Sequence, residues 1–368
     1  MKVLYVIFIC VLYSCMQNVE PDNKINVGAA MNALGKITAQ TISSNVRYVA
    51  LETNDSSLVG EMPDMRVLEH AILVSSVNQC LKLFDRSTGK FIRDIGHVGT
   101  DPQGYAKDPW GKVNYWVDYD QNIIHVLGWG NDLILYDLAG NYKDRICIDD
   151  NVRYNLQQSY LYVTYGKLWG HNKLDISKSP LFCIDENSNH ITDIVGLPID
   201  LLPMDDLQSI SELLGDYASY GGDLTMASFA NGGKFYTAIN SPSLWRFEND
   251  IRLKQTFNDT IYTLSDSKIK PYLIFELGDW AWQYQDRLEE GGCEKKIMID
   301  YALENERCIY FHFHTGFYTK NRQAFCGLYY KADHRVVLMC GDRLLDTVNR
   351  QSLRAVSYTH LTLPTIRL

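Results

Sequence analysis

The sequence has no excess and no cluster of basic residues. Its 35 Lys and Arg residues are outnumbered by 44 Asp and Glu residues, which gives a formal net charge of -9 at pH 7. Proteins that bind nucleic acids neutralise the phosphates with clustered Lys and Arg side chains. We therefore expect no nucleic-acid partner.

Signatures of catalysis and of cofactor binding are also missing. The chain contains no Gly-x-Ser-x-Gly motif, no Walker A motif and no calcium loop of the EF-hand type. Its nine cysteines form no Cys-x-x-Cys pair, which excludes a zinc ribbon and indicates no disulfide framework. The sequence thus predicts no cofactor and favours a binding role over an enzymatic one.

No hydrophobic run reaches the roughly 20 residues that a membrane-spanning helix needs. The apolar run at residues 3–12 has the length of a secretory signal peptide, and residues 12–15 (LYSC) resemble a bacterial lipobox. We expect a signal peptide over residues 1–14 and a lipid on Cys15, which would anchor an exported protein in the cell envelope, at the outer membrane. The alternative is a plain secretory signal. Residues 15–35 are polar and irregular, which predicts a flexible tether.

The most informative feature is a repeated pair of β-strands. Residues 80–85 (CLKLFD) and 90–95 (KFIRDI) alternate in polarity on either side of a turn that contains glycine, and residues 133–137 and 141–146 repeat this arrangement. The Asp that ends the first strand can accept hydrogen bonds from turn amides, and glycine permits positive φ. Alternation gives each strand one buried face, so both segments predict antiparallel hairpins.

Weaker copies of the hairpin lie at residues 181–194, 257–277 and 328–338. An interval of about 45 to 55 residues is typical of four-stranded propeller blades. We predict an all-β fold, a six-bladed β-propeller of four-stranded antiparallel blades over residues 36–355, whose last blade is incomplete if the chain is truncated. Residues 205–214 have apolar side chains at helical spacing, which predicts a short inserted helix.

Three further segments point to a known family. Residues 47–53 (RYVALET), 57–61 (SLVGE) and the glycine-rich residues 96–105 (GHVGTDPQGY) resemble segments of the six-bladed β-propeller lipoproteins of anaerobic gut Gram-negative bacteria. Asp101 and Gly104 depart from the family pattern in the glycine-rich segment. The resemblance implies the same fold and an envelope location, and the family has no agreed catalytic residues to carry over.

The last residues, 356–368, do not fit the repeat. Their sequence, VSYTHLTLPTIRL, resembles the translation of a common sequencing adapter. We expect a non-native tail here, and the alternative is an ordinary C-terminal extension.

Two groups of side chains are candidate binding sites. In a β-strand, residues i and i+2 lie on one face, so His312 and His314 can meet one metal ion if a third ligand lies nearby. Trp280, Trp282 and Tyr284 also alternate, and in an extended segment their rings would form a platform for sugar faces. The alternatives are two histidines without a metal and three aromatic rings that pack between blades.

Taken together, these features predict a lipid-anchored binding or scaffold module for a protein, peptide or glycan partner. The alternative is a propeller enzyme of the lyase, lactonase or glycosidase type with its site at the central channel.

Overall fold

In a computed structural model, antiparallel β-sheets make up nearly all of the regular secondary structure among the described residues. The structure describes residues 24–43, 46–148, 156, 159–172, 181–186, 190–194, 207–213, 224–229, 234–238, 244–255, 258–265, 268–282, 286, 295–316 and 321–354. The short helices include α1 (Val27–Ala30), α2 (Ala39–Ile42) and a 3-10 helix (Gly278–Trp280). No helix in these ranges has the length and apolarity needed to cross a membrane.

Among the described residues, five sheets each contain four sequential antiparallel strands, which is the arrangement of β-propeller blades, and one of these sheets also includes a parallel fifth strand. Strand β1 (Lys24–Ile25) precedes them. Blade 1 contains β2 (Asp64–Val67), β3 (Ala71–Ser75), β4 (Leu81–Asp85) and β5 (Phe91–Ile95). Blade 2 contains β6 (Tyr115–Asp118), β7 (Ile123–Leu127), β8 (Asp132–Asp137) and β9 (Tyr142–Cys147). Blade 3 contains β10 (Ser159–Thr164), β11 (Lys167–Asn172), β12 (Leu181–Asp185) and β13 (His190–Asp193).

A three-stranded sheet follows in the chain, with β14 (Leu207–Leu213), β15 (Leu224–Phe229) and β16 (Lys234–Ala238). Blade 4 contains β17 (Leu244–Phe247), β18 (Asp250–Lys254), β19 (Thr260–Ser265) and β20 (Lys268–Phe275). Blade 5 contains β21 (Met298–Glu304), β22 (Cys308–Thr315), β23 (Gln323–Tyr330) and β24 (Val336–Cys340). A final hairpin contains β25 (Arg343–Asp346) and β26 (Gln351–Arg354).

The all-β propeller prediction is confirmed, but the predicted number of six four-stranded blades is wrong, because the blade count is five. The sheet β14–β16 has three strands among the described residues. The five hairpins recognised in the sequence each belong to one of these five blades. The sixth blade was inferred from the length of the repeat interval, and the sheet β14–β16 occupies that part of the chain. The helix predicted over residues 205–214 is also wrong, since β14 pairs with β15 and the sheet overrides a weak helical spacing.

The predicted hairpins form the third and fourth strands of their blades. In the turn between β4 and β5, Asp85 Oδ1 accepts hydrogen bonds from the backbone amides of Ser87 (2.9 Å) and Thr88 (2.7 Å). In the turn between β8 and β9, Asp137 Oδ1 likewise accepts a bond from the amide of Asn141 (2.8 Å). These carboxylates accept hydrogen bonds from turn amides that do not pair with a neighbouring strand. This confirms the turn role that the sequence predicts for the repeated Asp.

The connectivity sorts the loops onto two faces of the propeller. In a sequential antiparallel blade, the turns between strands one and two and between strands three and four lie at one end. The turn between strands two and three and the links between blades lie at the other end, which we call the link face. The fourth strands β5 and β9 each expose three consecutive residues, whereas β21 is almost entirely buried, so the first strands lie on the inner side.

The N-terminal segment packs across the blades from Lys24 onward, so this part of the predicted tether has fixed contacts. Strand β1 pairs with β20 in parallel, and Ile25 and Val27 are fully buried in a core shared by blades 4 and 5. Further along, Thr38 forms a parallel bridge with Leu345 of the final hairpin. The segment thus connects the last blades to one another before the chain enters blade 1.

Asp346 of the final hairpin ties down the same segment. Its carboxylate accepts hydrogen bonds from Gln40 Nε2 (2.6 Å), the Tyr48 hydroxyl (2.5 Å) and Asn349 Nδ2 (2.7 Å). The hydroxyl of Tyr48, with the other donors, holds the pKa of Asp346 well below its usual value. The carboxylate is therefore ionised at neutral pH and joins residues from both ends of the chain.

Candidate functional site

Two tryptophans on the link face are largely exposed. Trp110 lies in the link between β5 and β6 and is 68% exposed, and Trp129 lies in the turn between β7 and β8 and is 55% exposed. The amide of Asn78, in the turn between β3 and β4, donates to the carbonyl of Gly111 (2.9 Å), which ties the link to this face. Large exposed aromatic side chains of this kind are enriched where proteins bind partners.

The glycine-rich residues 96–105 hold this surface in place. The buried Tyr105 hydroxyl donates to the carbonyl of Ile95 (2.9 Å) and accepts from the amide of Leu81 (3.1 Å). Burial raises the pKa of Tyr105 far above its usual value, so the hydroxyl keeps its proton. The indole Nε1 of Trp129 donates to the carbonyl of Gly99, which orients the exposed ring.

The position of Gly96 in the glycine-rich segment requires glycine. Its φ is +59°, and a Cβ at this position would lie 2.4 Å from the ring of Tyr136. Any other residue would be strained in the backbone and would displace that ring. The motif that resembled the lipoprotein family therefore has a structural role in shaping the first interblade link.

The predicted aromatic platform is only partly described. Trp280 ends the 3-10 helix, so the extended geometry assumed for residues 280–284 does not hold at this position. Trp280 and Trp282 are half-buried in the link between β20 and β21, and Trp280 packs against the core formed by Ile25 and its neighbours. Tyr284 lies outside the described residues. For Trp280, the packing favours the alternative interpretation.

The predicted histidine pair is brought together with a third side chain. His312 and His314 lie on β22 near the link face, and both are buried. The paired strand β21 contains a β-bulge. Ile299 lies opposite Phe313 and Tyr301 lies opposite His312, so the residue between them, Asp300, has no partner of its own on β22. This bulge places Asp300 on the same face as the histidines, which is a known consequence of an extra residue in a strand.

The three side chains are in contact. His312 Nδ1 and His314 Nδ1 each lie 2.7 Å from Asp300 Oδ2, and the candidate ligand atoms of all three residues lie within 4.8 Å of one another. The ring of Tyr301 stacks on His312 with a centroid separation of 5.3 Å and an interplanar angle of 11°. Asp300 thus restrains both imidazoles, and Tyr301 restrains the ring of His312.

Burial and hydrogen bonding set the charges in this cluster. Burial opposes ionisation of Asp300, but attraction by His314 and hydrogen bonds from both imidazoles outweigh it and hold the pKa of Asp300 well below its usual value. Burial lowers the pKa of His314 despite the attraction of Asp300. Near neutral pH, Asp300 is therefore ionised and His314 is neutral.

A buried lysine lies on the neighbouring blade. Lys254 Nζ donates to the carbonyls of Ile299 (2.9 Å) and Gln255 (2.6 Å). Burial lowers the pKa of Lys254 to about 8, and the attraction of Asp259 and Asp300 offsets part of this effect. Lys254 thus braces the strand that carries Asp300.

Sequence reasoning missed Asp300, because a bulge leaves no clear mark on the alternation of polarity. It did identify the two histidines, Trp280 and Trp282 as candidates, but it did not single out the exposed Trp110 and Trp129. Cys15, residues 1–14 and the tail at 356–368 lie outside the described residues.

Comparisons with known proteins bear on the fold. A family model described as "Domain of unknown function (DUF4934)" matches residues 22–358. No curated protein matches the sequence. Among solved structures, a "putative exported protein" from Bacteroides fragilis has a TM-score of 0.51 and 16% identity, and the alignment covers 86% of this chain and 79% of that one. The computationally designed Ika8 protein has a TM-score of 0.36 and 8% identity, with coverage of 84% and 93%. At 16% identity, the likeness to the Bacteroides fragilis protein supports the fold alone.

Proposed function

The chain belongs to the DUF4934 family, and we propose that it is an exported, lipid-anchored propeller that binds a glycan of the cell envelope or its surroundings without catalysis. The lipid would be carried by Cys15, and the anchor would lie in the outer membrane. The link face would receive the ligand.

The observation that carries this proposal is the pair of exposed tryptophans, Trp110 and Trp129, on the link face. A tryptophan exposed to water leaves a large apolar ring unpaired, and the C–H groups of a sugar pack well on such a ring. The hydrogen bond from Trp129 to Gly99 orients one of the two rings before the ligand arrives. A pre-oriented ring loses less conformational entropy on binding.

The half-buried Trp280 and Trp282 lie in the link between blades 4 and 5, on the same face as the exposed tryptophans, and would contribute only to a ligand long enough to reach both. Tyr284 was predicted from the sequence to extend this surface. Their contribution would be smaller than that of the exposed rings, since Trp280 already packs against the core.

Two observations support export and a lipid anchor. The signal-like residues 1–14 precede a lipobox-like cysteine, and the Bacteroides fragilis neighbour carries the word exported in its name. If Cys15 carries the lipid, Cys15→Ala should release the protein from membranes into the soluble fraction and abolish incorporation of a labelled fatty acid. A variant that stays in the membrane fraction and keeps the label would contradict the anchor.

Ligand binding is tested by screening the purified protein on an array of bacterial polysaccharides and host glycans. We expect binding to at least one glycan class, and about tenfold or greater weakening in Trp110→Ala and Trp129→Ala, because aromatic anchors dominate such interfaces. Tyr165→Ala is the matched control, since Tyr165 is 52% exposed but lies on the opposite face, in the turn between β10 and β11.

Three results would count against a glycan-binding link face. They are the absence of binding to any glycan, an equal loss of affinity in the Tyr165→Ala control, and unchanged affinity in both tryptophan variants. Turnover of a bound glycan that depends on polar residues of the channel would instead favour the enzymatic alternative.

A further inference from the structure

The cluster of Asp300, His312 and His314 combines two independent features. The period of a strand places the two histidines on one face of β22, and the bulge in β21 adds Asp300 to that face without removing Tyr301 from it. A regular strand would present only one residue to this face at that point. The bulge therefore assembles three groups that can all bind a metal ion.

We propose that Asp300, His312 and His314 form a binding site for one divalent transition-metal ion of the zinc class. The site goes beyond the proposed glycan binding and does not depend on it. It lies between the two inner strands of blade 5, near the link face, and the ion would join β21 to β22 in addition to their backbone hydrogen bonds.

The distances suit such an ion after a small adjustment. A tetrahedral zinc ion has ligands at about 2.0 to 2.2 Å, so two of its ligand atoms lie roughly 3.3 Å apart. In the structure, the imidazole Nδ1 atoms lie 2.7 Å from Asp300 Oδ2, and all three ligand atoms lie within 4.8 Å of one another. Each close contact needs to open by only about 0.6 Å to admit the ion.

The ligand types select the class of metal. Two imidazole nitrogens and one carboxylate oxygen suit zinc and its neighbours in the first transition row, whereas calcium and magnesium prefer sites built from oxygen atoms. A neutral imidazole binds a metal ion through the lone pair of one ring nitrogen. In the metal-free cluster, the 2.7 Å contacts with the Asp300 carboxylate require a proton on each Nδ1. When the metal binds, each imidazole would present the Nδ1 lone pair, and this proton would move to Nε2 or leave to solvent.

The test starts with the wild-type full chain. The protein is stripped with EDTA, dialysed against Zn²⁺ or Co²⁺, and analysed for bound metal by mass spectrometry. We expect one equivalent of metal per chain, a Co²⁺ absorption spectrum with imidazole ligation, and a higher melting temperature with metal than without. Metal content no greater than that of the dialysis buffer would overturn the proposal, and this outcome requires no variant to fold.

Variants then locate the site. Removing a ligand with His314→Ala or Asp300→Asn should weaken metal binding by more than about tenfold, because loss of an outer-shell partner alone costs about 10- to 100-fold. His97→Ala is the matched control, since His97 Nε2 also lies 2.7 Å from a carboxylate, that of Asp101, but on an exposed loop. Circular dichroism shows whether each variant is folded.

Equal metal content in wild type and in a folded Asp300→Asn variant would contradict the assignment of these ligands. A loss of stability in that variant, with no metal bound by the wild type, would identify a charge-paired cluster without a metal. Glycan binding is measured on the same samples, so the metal proposal and the glycan proposal are tested independently of one another.

Discussion

Replacement of Glu304 by Gln tests how blades 4 and 5 are held together. Glu304 is fully buried at the end of β21, and its carboxylate contacts three donors: Arg252 Nε at 3.3 Å, Lys331 Nζ at 2.7 Å and the Tyr272 hydroxyl at 2.6 Å. Arg252 and Tyr272 belong to blade 4, whereas Lys331 follows β23 of blade 5. One carboxylate thus neutralises two cations at the contact between the blades.

The expected magnitude follows from burial. Glu304→Gln keeps the shape of the side chain but leaves Arg252 and Lys331 without their shared carboxylate. Removing one partner of a buried ion pair costs about 3 to 5 kcal/mol, because the remaining charge is uncompensated. Arg252 keeps a second contact, to Asp250 at 3.0 Å, but the side chain of Asp250 is 48% exposed and its attraction is screened by water. We therefore expect a loss of about 3 kcal/mol in the free energy of unfolding.

The assay is urea unfolding followed by fluorescence and circular dichroism. The control is Glu276→Gln, because Glu276 pairs with Lys24 at 3.6 Å and the two side chains are 48% and 38% exposed. An exposed pair contributes at most about 1 kcal/mol. If Glu304→Gln loses no more stability than this control, the reasoning that the buried carboxylate joins the blades is refuted.

Three further predictions concern the core, the N-terminal segment and pH. Gly327→Ala should lose about 1 to 3 kcal/mol in urea unfolding, because its Cβ would lie 2.1 Å from the buried ring of Phe311; unchanged stability would show that the ring moves freely. Ile25→Ala should lose about 2 kcal/mol or more, whereas Leu34→Ala, at a 49% exposed side chain, should change stability by less than about 0.5 kcal/mol. Similar values for the two would mean that the segment does not stabilise the blades. In EDTA-treated protein, stability should fall as the pH drops below about 6.5, because burial lowers the folded-state pKa of His314 and the unfolded chain then binds more protons. His314→Gln should reduce this slope, and an unchanged slope would contradict the assignment.

Much of the fold follows from short-range patterns in the sequence. The alternation around Asp85 and Asp137, each followed by a glycine with positive φ, is enough to predict the outer hairpins of the blades. These signals are local, because a hairpin brings together residues that are close in the chain. Alternation also places His312 and His314 on one face without any knowledge of the other strands.

The tertiary structure alone decides the remaining features, because they depend on residues far apart in the chain or on the pairing register. The blade count depends on which strands join a sheet, and β1 pairs with a strand about 250 residues later. The third member of the histidine cluster, Asp300, reaches its place only through a register shift that no alternation pattern marks. The buried network of Glu304 likewise exists only where two blades meet. The sequence by itself determines the hairpins and the repeated β-architecture, and packing between distant strands decides how many blades form and which charges meet inside them.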